Sequence, residues 1–147
     1  IKAIRENNMS TAEFNAIVED FDFIDDWEDR YRYIIEKGKS MPALDDALKV
    51  EATKVHGCAS QVWMHSTVEQ DIFYFEGDSD AIIVRGLISL LKSLYSGLSV
   101  SEVANINAVT ELNRLGLTEH LSSQRSNGLN AMVTKIKKIA EGELINR

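Results

Sequence analysis

The chain has 147 residues, 16 of them Lys or Arg against 23 Asp or Glu, for a formal net charge of −7. That length suits one domain with one sizeable core, and 44% apolar against 27% charged residues excludes a disordered chain. No apolar run approaches the ~18 residues of a membrane span, no signal-peptide pattern is legible, and the acidic balance excludes a protein built to neutralise phosphates, so no nucleic-acid or membrane partner is expected.

Residues 1–9 lack hydrophobic periodicity and begin on Ile1, so they are expected to be a leader or an appended end, with a single domain over residues 10–147. The run Ser10-Thr11-Ala12-Glu13 has the spacing of a capping box. Phe14, Ile17, Val18 and Phe21 follow at helical spacing and predict a helix over about Thr11 to Phe21. A second helix is expected from near Asp25 to Gly38, with Trp27, Tyr31, Ile34 and Ile35 on one face. The acidic residues Asp20, Asp22, Asp25, Asp26, Glu28 and Asp29 flank that junction. They are open to two readings, a capped and solvated helix end or a docking surface for a basic partner. Ser40 to Lys54 reads as irregular, with the one proline, Pro42, and a short helical turn near Asp45 to Lys49.

The period then changes. Val55 to Thr67 is rich in β-branched and aromatic residues, with Val62 and Met64 on one face and Gln61, Trp63 and His65 on the other. Ile72 to Phe75 is expected to return as the second arm of a hairpin, and a further strand is expected just before Gly57. Ser79 to Tyr95 is apolar nearly all round and predicts a buried core helix. Asp78 or Ser79 is expected to cap it, with Asp80 complementing its dipole. Short helices follow over Ser99 to Ala104 and Ala108 to Leu115, closed at Gly116. The last helix is expected over Arg125 to Glu141, with Leu129, Met132, Val133, Ile136 and Ile139 inward and Lys135, Lys137 and Lys138 in water. The order is that of an α+β domain, a small antiparallel sheet of about three strands packed by N- and C-terminal helices.

Cys58 is the single cysteine. Alone it makes no intramolecular disulfide and holds neither an iron–sulfur cluster nor structural zinc, and a reducing compartment is expected. Its neighbours in His56-Gly57-Cys58-Ala59-Ser60 leave two readings open, a reactive thiol at a loop tip or a buried structural one. His56 lies two residues away, either as an imidazolium lowering the thiol pKa or as a surface histidine without a partner. His65 and His120 show no metal-ligand spacing, so no metal and no cofactor site is expected. Trp63 reads as a hairpin packing residue. Arg125 opens the last helix, where a cation is disfavoured, so it either pairs with an acid or lies near an anionic sulfur.

The segment Gly57-Cys58-Ala59-Ser60-Gln61-Val62-Trp63 resembles the G-C-x-S-x-V-W motif of the SufE family of sulfur acceptors. Residues 77–86, from Gly77-Asp78-Ser79-Asp80 onward, are similar to its G-D-S-D-A-x-I-V-x-G. Residues 117–129, from Leu117 through His120, Leu121, Arg125 and Gly128 to Leu129, resemble its L-x-x-H-L-x-x-x-R-x-x-G-L. Residues 27–38, from Trp27-Glu28 to Gly38, match W-E-x-(K/R)-Y-x-Y-I-I-x-x-G. The resemblance spans about Phe14 to Ala140.

The resemblance implies a fold like the IscU-type scaffolds. It implies that a pyridoxal-phosphate cysteine desulfurase, of the SufS or CsdA type, passes persulfide sulfur to Cys58. The sulfur is then delivered to a cluster-assembly scaffold or another recipient, and desulfurase turnover rises. The pyridoxal phosphate belongs to the partner, and the protein is an accessory to sulfur transfer rather than a stand-alone enzyme. The resemblance further implies a cysteine loop tucked away in the free protein that swings out on docking, with Asp80 holding it closed and Arg125 steadying the thiolate or orienting the partner. Gly57, Ser60 and Gln61 belong to the same motif. A bacterial cytoplasm, or an organelle, is the expected setting, and a monomer or weak homodimer the expected state. Two rival readings stand beside the relay, a binding module that activates a desulfurase allosterically and a single-cysteine peroxide-reducing or redox-sensing enzyme.

Overall fold

The computed structural model describes residues 11–147. The expected leader and the Ser10 hydroxyl of the expected capping box lie outside the described residues. Helix α1 (Ala12–Asp22) starts from Thr11, whose Oγ1 accepts the Phe14 amide at 3.1 Å and donates to the Ser93 carbonyl at 2.6 Å. One hydroxyl thus satisfies an open helix end and ties that end to a distant helix.

Helix α2 (Trp27–Ser40) is capped by Asp26, which accepts the Glu28 amide at 2.9 Å. Much of the acidic junction is structural: Asp20 accepts the Tyr33 hydroxyl at 2.7 Å, and Asp29 pairs with Arg32 at 2.7 Å. Arg30 closes the junction by donating to the Ile24 and Phe21 carbonyls, at 2.6 and 2.9 Å, the latter of which also accepts the Ile24 amide at 3.1 Å. After α2 come two 3₁₀ turns, Asp46–Leu48 and Glu51–Thr53, so the expected irregular stretch holds two short turns rather than one.

The sheet is a single antiparallel hairpin of β1 (Val62–Glu69) and β2 (Ile72–Ser79), running in register from Val62 opposite Ser79 to Glu69 opposite Ile72. Gln70 and Asp71 between them both have positive φ, 50° and 68°, the geometry whose twist suits a two-residue hairpin. The expected third strand is reduced to one bridge, Lys54 with Trp63, beside the Val55 amide bonded to the Val62 carbonyl at 2.8 Å. The cause is Gly57, whose φ of +94° turns the chain away from the sheet. β1 therefore begins at Val62, and residues 55–61 form a loop.

Helix α3 (Ile82–Tyr95) begins three residues later than its apolar pattern suggests, because β2 carries the chain through Ser79. Its N-cap is Ala81 with no side-chain bond, so neither Asp78 nor Ser79 caps it. α3 is the centre of the core, with Leu87, Ile88, Leu90, Leu91 and Leu94 all buried. α2 approaches it so closely that a Cβ on Gly38 would stand 2.6 Å from the Ile82 carbonyl oxygen, and one on Gly86 would stand 2.6 Å from Ile34 Cγ2. α4 (Val100–Asn105) opens with a Ser99/Glu102 capping box. α5 (Ala108–Asn113) is followed by α6 (Leu117–His120), a turn of helix beyond Gly116 that the sequence pattern does not announce. α7 (Ser123–Ile145) outruns its expected range at both ends and buries Gly128, Leu129, Met132, Ile136 and Ala140.

Candidate functional site

The loop 55–61 is tied at both ends and lies against α7. At its downstream end Asp80 Oδ1 accepts the Gln61 amide at 3.1 Å, and the Asp80 amide returns a bond to the Gln61 carbonyl at 3.3 Å. At its upstream end stands the Lys54–Trp63 bridge. Gly57 makes the turn with its left-handed φ, and a Cβ there would lie 3.4 Å from Ala131 Cβ on α7. The Cys58 thiol comes to rest on the same helix, with Sγ–H donating to the Gly128 carbonyl at 3.7 Å. The thiol lies directly over Gly128: a Cβ there would stand 3.4 Å from Sγ and 3.8 Å from Cys58 Cβ, both ordinary contact distances.

Beside the thiol is a cavity of about 240 Å³. Ile83, Leu87 and Met132 give it an apolar floor, and Ser60, Gln124 and Arg125 line its polar side. Cys58 is half-buried there, and burial pushes its thiol above the ordinary cysteine value. In this conformation the sulfur is therefore a protonated, weakly nucleophilic thiol at neutral pH.

The structure sorts the residues singled out from the sequence. Cys58, Ser60 and Arg125 line the one cavity, and Gln61 and Asp80 form the downstream tie of the loop. Arg125 sits in the first turn of α7, its amide held by Ser122 Oγ at 3.3 Å, and among the described residues it forms no ion pair. It lines the same cavity as Cys58. His56 does not serve the thiol. Its Nε2 lies 2.9 Å from Glu51 Oε1, and it lines a separate groove with Ala131 and Lys135. His56 is thus at the surface, as one of its readings has it, but with Glu51 as a partner.

Trp63 is half-buried on β1 under the Lys49 ammonium, 5.4 Å from its ring. His120 stacks on Trp27 with ring centroids 4.0 Å apart, and its Nδ1 lies 3.0 Å from the Gly116 carbonyl oxygen. Two of the sequence motifs thus meet each other in packing, and neither of these rings lines the cavity. Among the described residues no three of His, Cys, Asp and Glu gather in a group fit for a metal.

Asp78 plays a role the sequence pattern hides. It is buried, accepts the Leu44 and Ser79 amides at 3.0 and 2.8 Å, pairs with Arg85, and lies 3.3 Å from Lys49 Nζ. Burial pushes its carboxyl up, but the two amides and the Arg85 guanidinium outweigh that and hold it below the usual carboxylate value. The carboxylate fixes the segment before the Cys58 loop to the end of β2 and the first turns of α3. Sequence reasoning also missed Gly128 as a contact of the thiol. The signal available was its place three residues after Arg125, on the same helical face.

A family model described as SufE, Fe-S metabolism associated domain, matches residues 15–140. An uncharacterized SufE-like protein of Rhizobium meliloti is 49% identical over 134 residues, which cover 88% of this chain and 96% of that protein. The sulfur acceptor protein CsdE of Escherichia coli is 42% identical over 107 residues, 72% of this chain and 73% of that one. In fold, the solution structure of a hypothetical protein from Thermus thermophilus matches with a TM-score of 0.73 at 21% identity, over 90% of this chain and 96% of its own.

Proposed function

The chain belongs to the SufE family, and on that premise we propose that it is a sulfur acceptor that takes persulfide sulfur from a cysteine desulfurase onto Cys58 and delivers it for iron–sulfur cluster assembly. The observation that carries the reading is the seat of the lone cysteine: a thiol on a loop with two tied ends, beside a cavity with an apolar floor and Arg125 on its rim. The likeness to a named sulfur acceptor, CsdE, supports the same chemistry.

The transfer is redox-neutral. The Cys58 thiolate attacks the outer sulfur of the desulfurase persulfide, a new S–S bond forms on Cys58, and the old S–S bond breaks as the desulfurase cysteine leaves as a thiolate. The product is Cys58–S–SH, the desulfurase is ready for another turn, and no free sulfide is released. The raised thiol pKa fits a resting state that reacts slowly and a docked state in which the loop leaves α7, water reaches the sulfur and the thiolate forms. In this reading Arg125, which lines the same cavity, pairs with that thiolate or with the partner, and Asp80, bonded to the Gln61 amide, restores the closed loop. The apolar floor of the cavity has room for one added sulfur atom, sheltered from oxidants.

The pyridoxal phosphate of the overall reaction is the desulfurase's own, and the onward recipient is a cluster-assembly scaffold. A reducing compartment such as a bacterial cytoplasm suits a lone functional thiol; among the described residues no helix is long and apolar enough to cross a membrane. The test is desulfurase turnover with L-cysteine, with wild type and Cys58→Ser compared as activators. The relay predicts stimulation by the wild type and none by the variant. Equal stimulation by both would assign the effect to docking alone.

A further inference from the structure

We propose that Lys135 is a positioning residue that latches the upstream end of the Cys58 loop to α7 and so sets how often the thiol is released. Lys135 belongs to none of the motifs above, and its sequence pattern places it in water beside Lys137 and Lys138. The structure turns it inward. Its Nζ donates to the Lys54 carbonyl at 2.8 Å and lies 3.5 Å from the Ala52 carbonyl, while Lys137 and Lys138 stay exposed.

Three residues of α7 form one stripe at helical spacing, and the loop lies along it. Gly128 receives Cys58, Ala131 faces Gly57, and Lys135 holds the carbonyl of the residue just before the loop. A lysine stem ordinarily snorkels so that its ammonium stays hydrated. Here burial lowers the Lys135 pKa, with Glu51 opposing, so the ammonium gives up hydration to reach those carbonyls. Asp80 ties the downstream end through Gln61. Residues 55–61 are thus held by one charged group at each end, Lys135 beside the Lys54–Trp63 bridge upstream and Asp80 downstream.

The latch itself does not depend on the relay; only its consequence for sulfur uptake rests on that reading. The test is therefore made without a desulfurase, as the rate of Cys58 alkylation by excess iodoacetamide at neutral pH. A charge-assisted hydrogen bond at a half-buried site corresponds to about a tenfold change in the opening equilibrium. Lys135→Met is expected to alkylate about tenfold faster than wild type, Lys135→Arg to restore nearly the wild-type rate, and Lys138→Met to leave it unchanged. Hydrogen exchange is expected to speed up across residues 55–61 in Lys135→Met, with α3 unchanged.

A wild-type alkylation rate in Lys135→Met would overturn the proposal, as would equal acceleration by Lys138→Met. Faster exchange spread through α3 would also overturn it, by reducing Lys135 to general support of the fold. Failure of any of these leaves sulfur uptake by the wild type untouched, and failure of sulfur uptake leaves the latch untouched.

Discussion

Gly128 offers a test of the thiol's seat in which two substitutions at one position have opposite signs. A Cβ at residue 128 would meet Cys58 Sγ at 3.4 Å, Cys58 Cβ at 3.8 Å and Cys58 Cα at 3.9 Å, all ordinary contacts. Alanine therefore fits, and replacing a mid-helix glycine with alanine contributes about 1 kcal/mol to helix stability. Valine does not fit. Its γ-carbons reach about 1.5 Å further into the volume that the sulfur and its Cβ occupy, and neither the loop nor α7 can yield without parting. Overpacking of that kind costs roughly 1–3 kcal/mol, and the cheapest relief is to lift the loop off the helix. The opening equilibrium should then rise about fivefold to more than a hundredfold.

Reactivity with Ellman's reagent and thermal unfolding are the measurements. Gly128→Ala is expected to keep wild-type thiol reactivity with an equal or higher midpoint. Gly128→Val is expected to expose the thiol, with the melting of the core largely kept. Wild-type reactivity in Gly128→Val would refute the reasoning, because it would mean that Cys58 does not rest on α7.

Asp78→Asn removes a buried carboxylate with four partners and leaves Arg85 without its counter-charge, so a loss of about 3 kcal/mol is expected in urea unfolding, with the m-value unchanged. Because the folded carboxyl titrates below its ordinary value, its contribution is present above about pH 4 and is lost as pH falls through the folded value; the asparagine variant should lack that part of the acid dependence. Gly86→Ala should cost about 3 kcal/mol or more, because its Cβ would meet the Ile34 backbone carbonyl, which cannot yield as a side chain does; a midpoint within about 1 °C of wild type would contradict the close α2–α3 contact. The Cys58 thiol, raised by burial, contributes stability that is present below its unfolded value of about 8.5 and is lost as pH rises through the folded value. Wild type should therefore lose stability faster than Cys58→Ser between about pH 8 and 10, and parallel curves would count against a buried thiol.

Much of this site was legible because its chemistry is concentrated in short segments. A lone cysteine between a glycine and small residues marks a tight turn but leaves open whether its thiol is exposed or buried; the structure puts that turn outside the sheet at a left-handed Gly57, with the thiol half-buried. The class of fold and the order of its elements follow from periodicity, since α3 is apolar all round and α7 carries an inward stripe. The errors have a common origin in side chains whose partners are distant in sequence. Asp78 reads as a helix cap because caps are local, yet its partners include Leu44 and Lys49, more than two dozen residues upstream. Lys135 reads as solvated because its helical neighbours are, yet it bonds to a carbonyl 81 residues away. The expected third strand fails for a related reason: pairing beyond Lys54 would require the chain to stay flat where Gly57 bends it. His56 shows the converse, where nearness in sequence to Cys58 does not become contact, because Glu51 takes the imidazole.

The central claim is that Cys58 itself carries sulfur, and intact mass tests it most directly. Wild type and Cys58→Ser are each incubated with a cysteine desulfurase, pyridoxal phosphate and L-cysteine. The account predicts a gain of about one sulfur atom (~32 Da) in the wild type alone, removed by a thiol reductant. An unchanged wild-type mass alongside a faster desulfurase would contradict the relay and leave this protein an activator that works by docking.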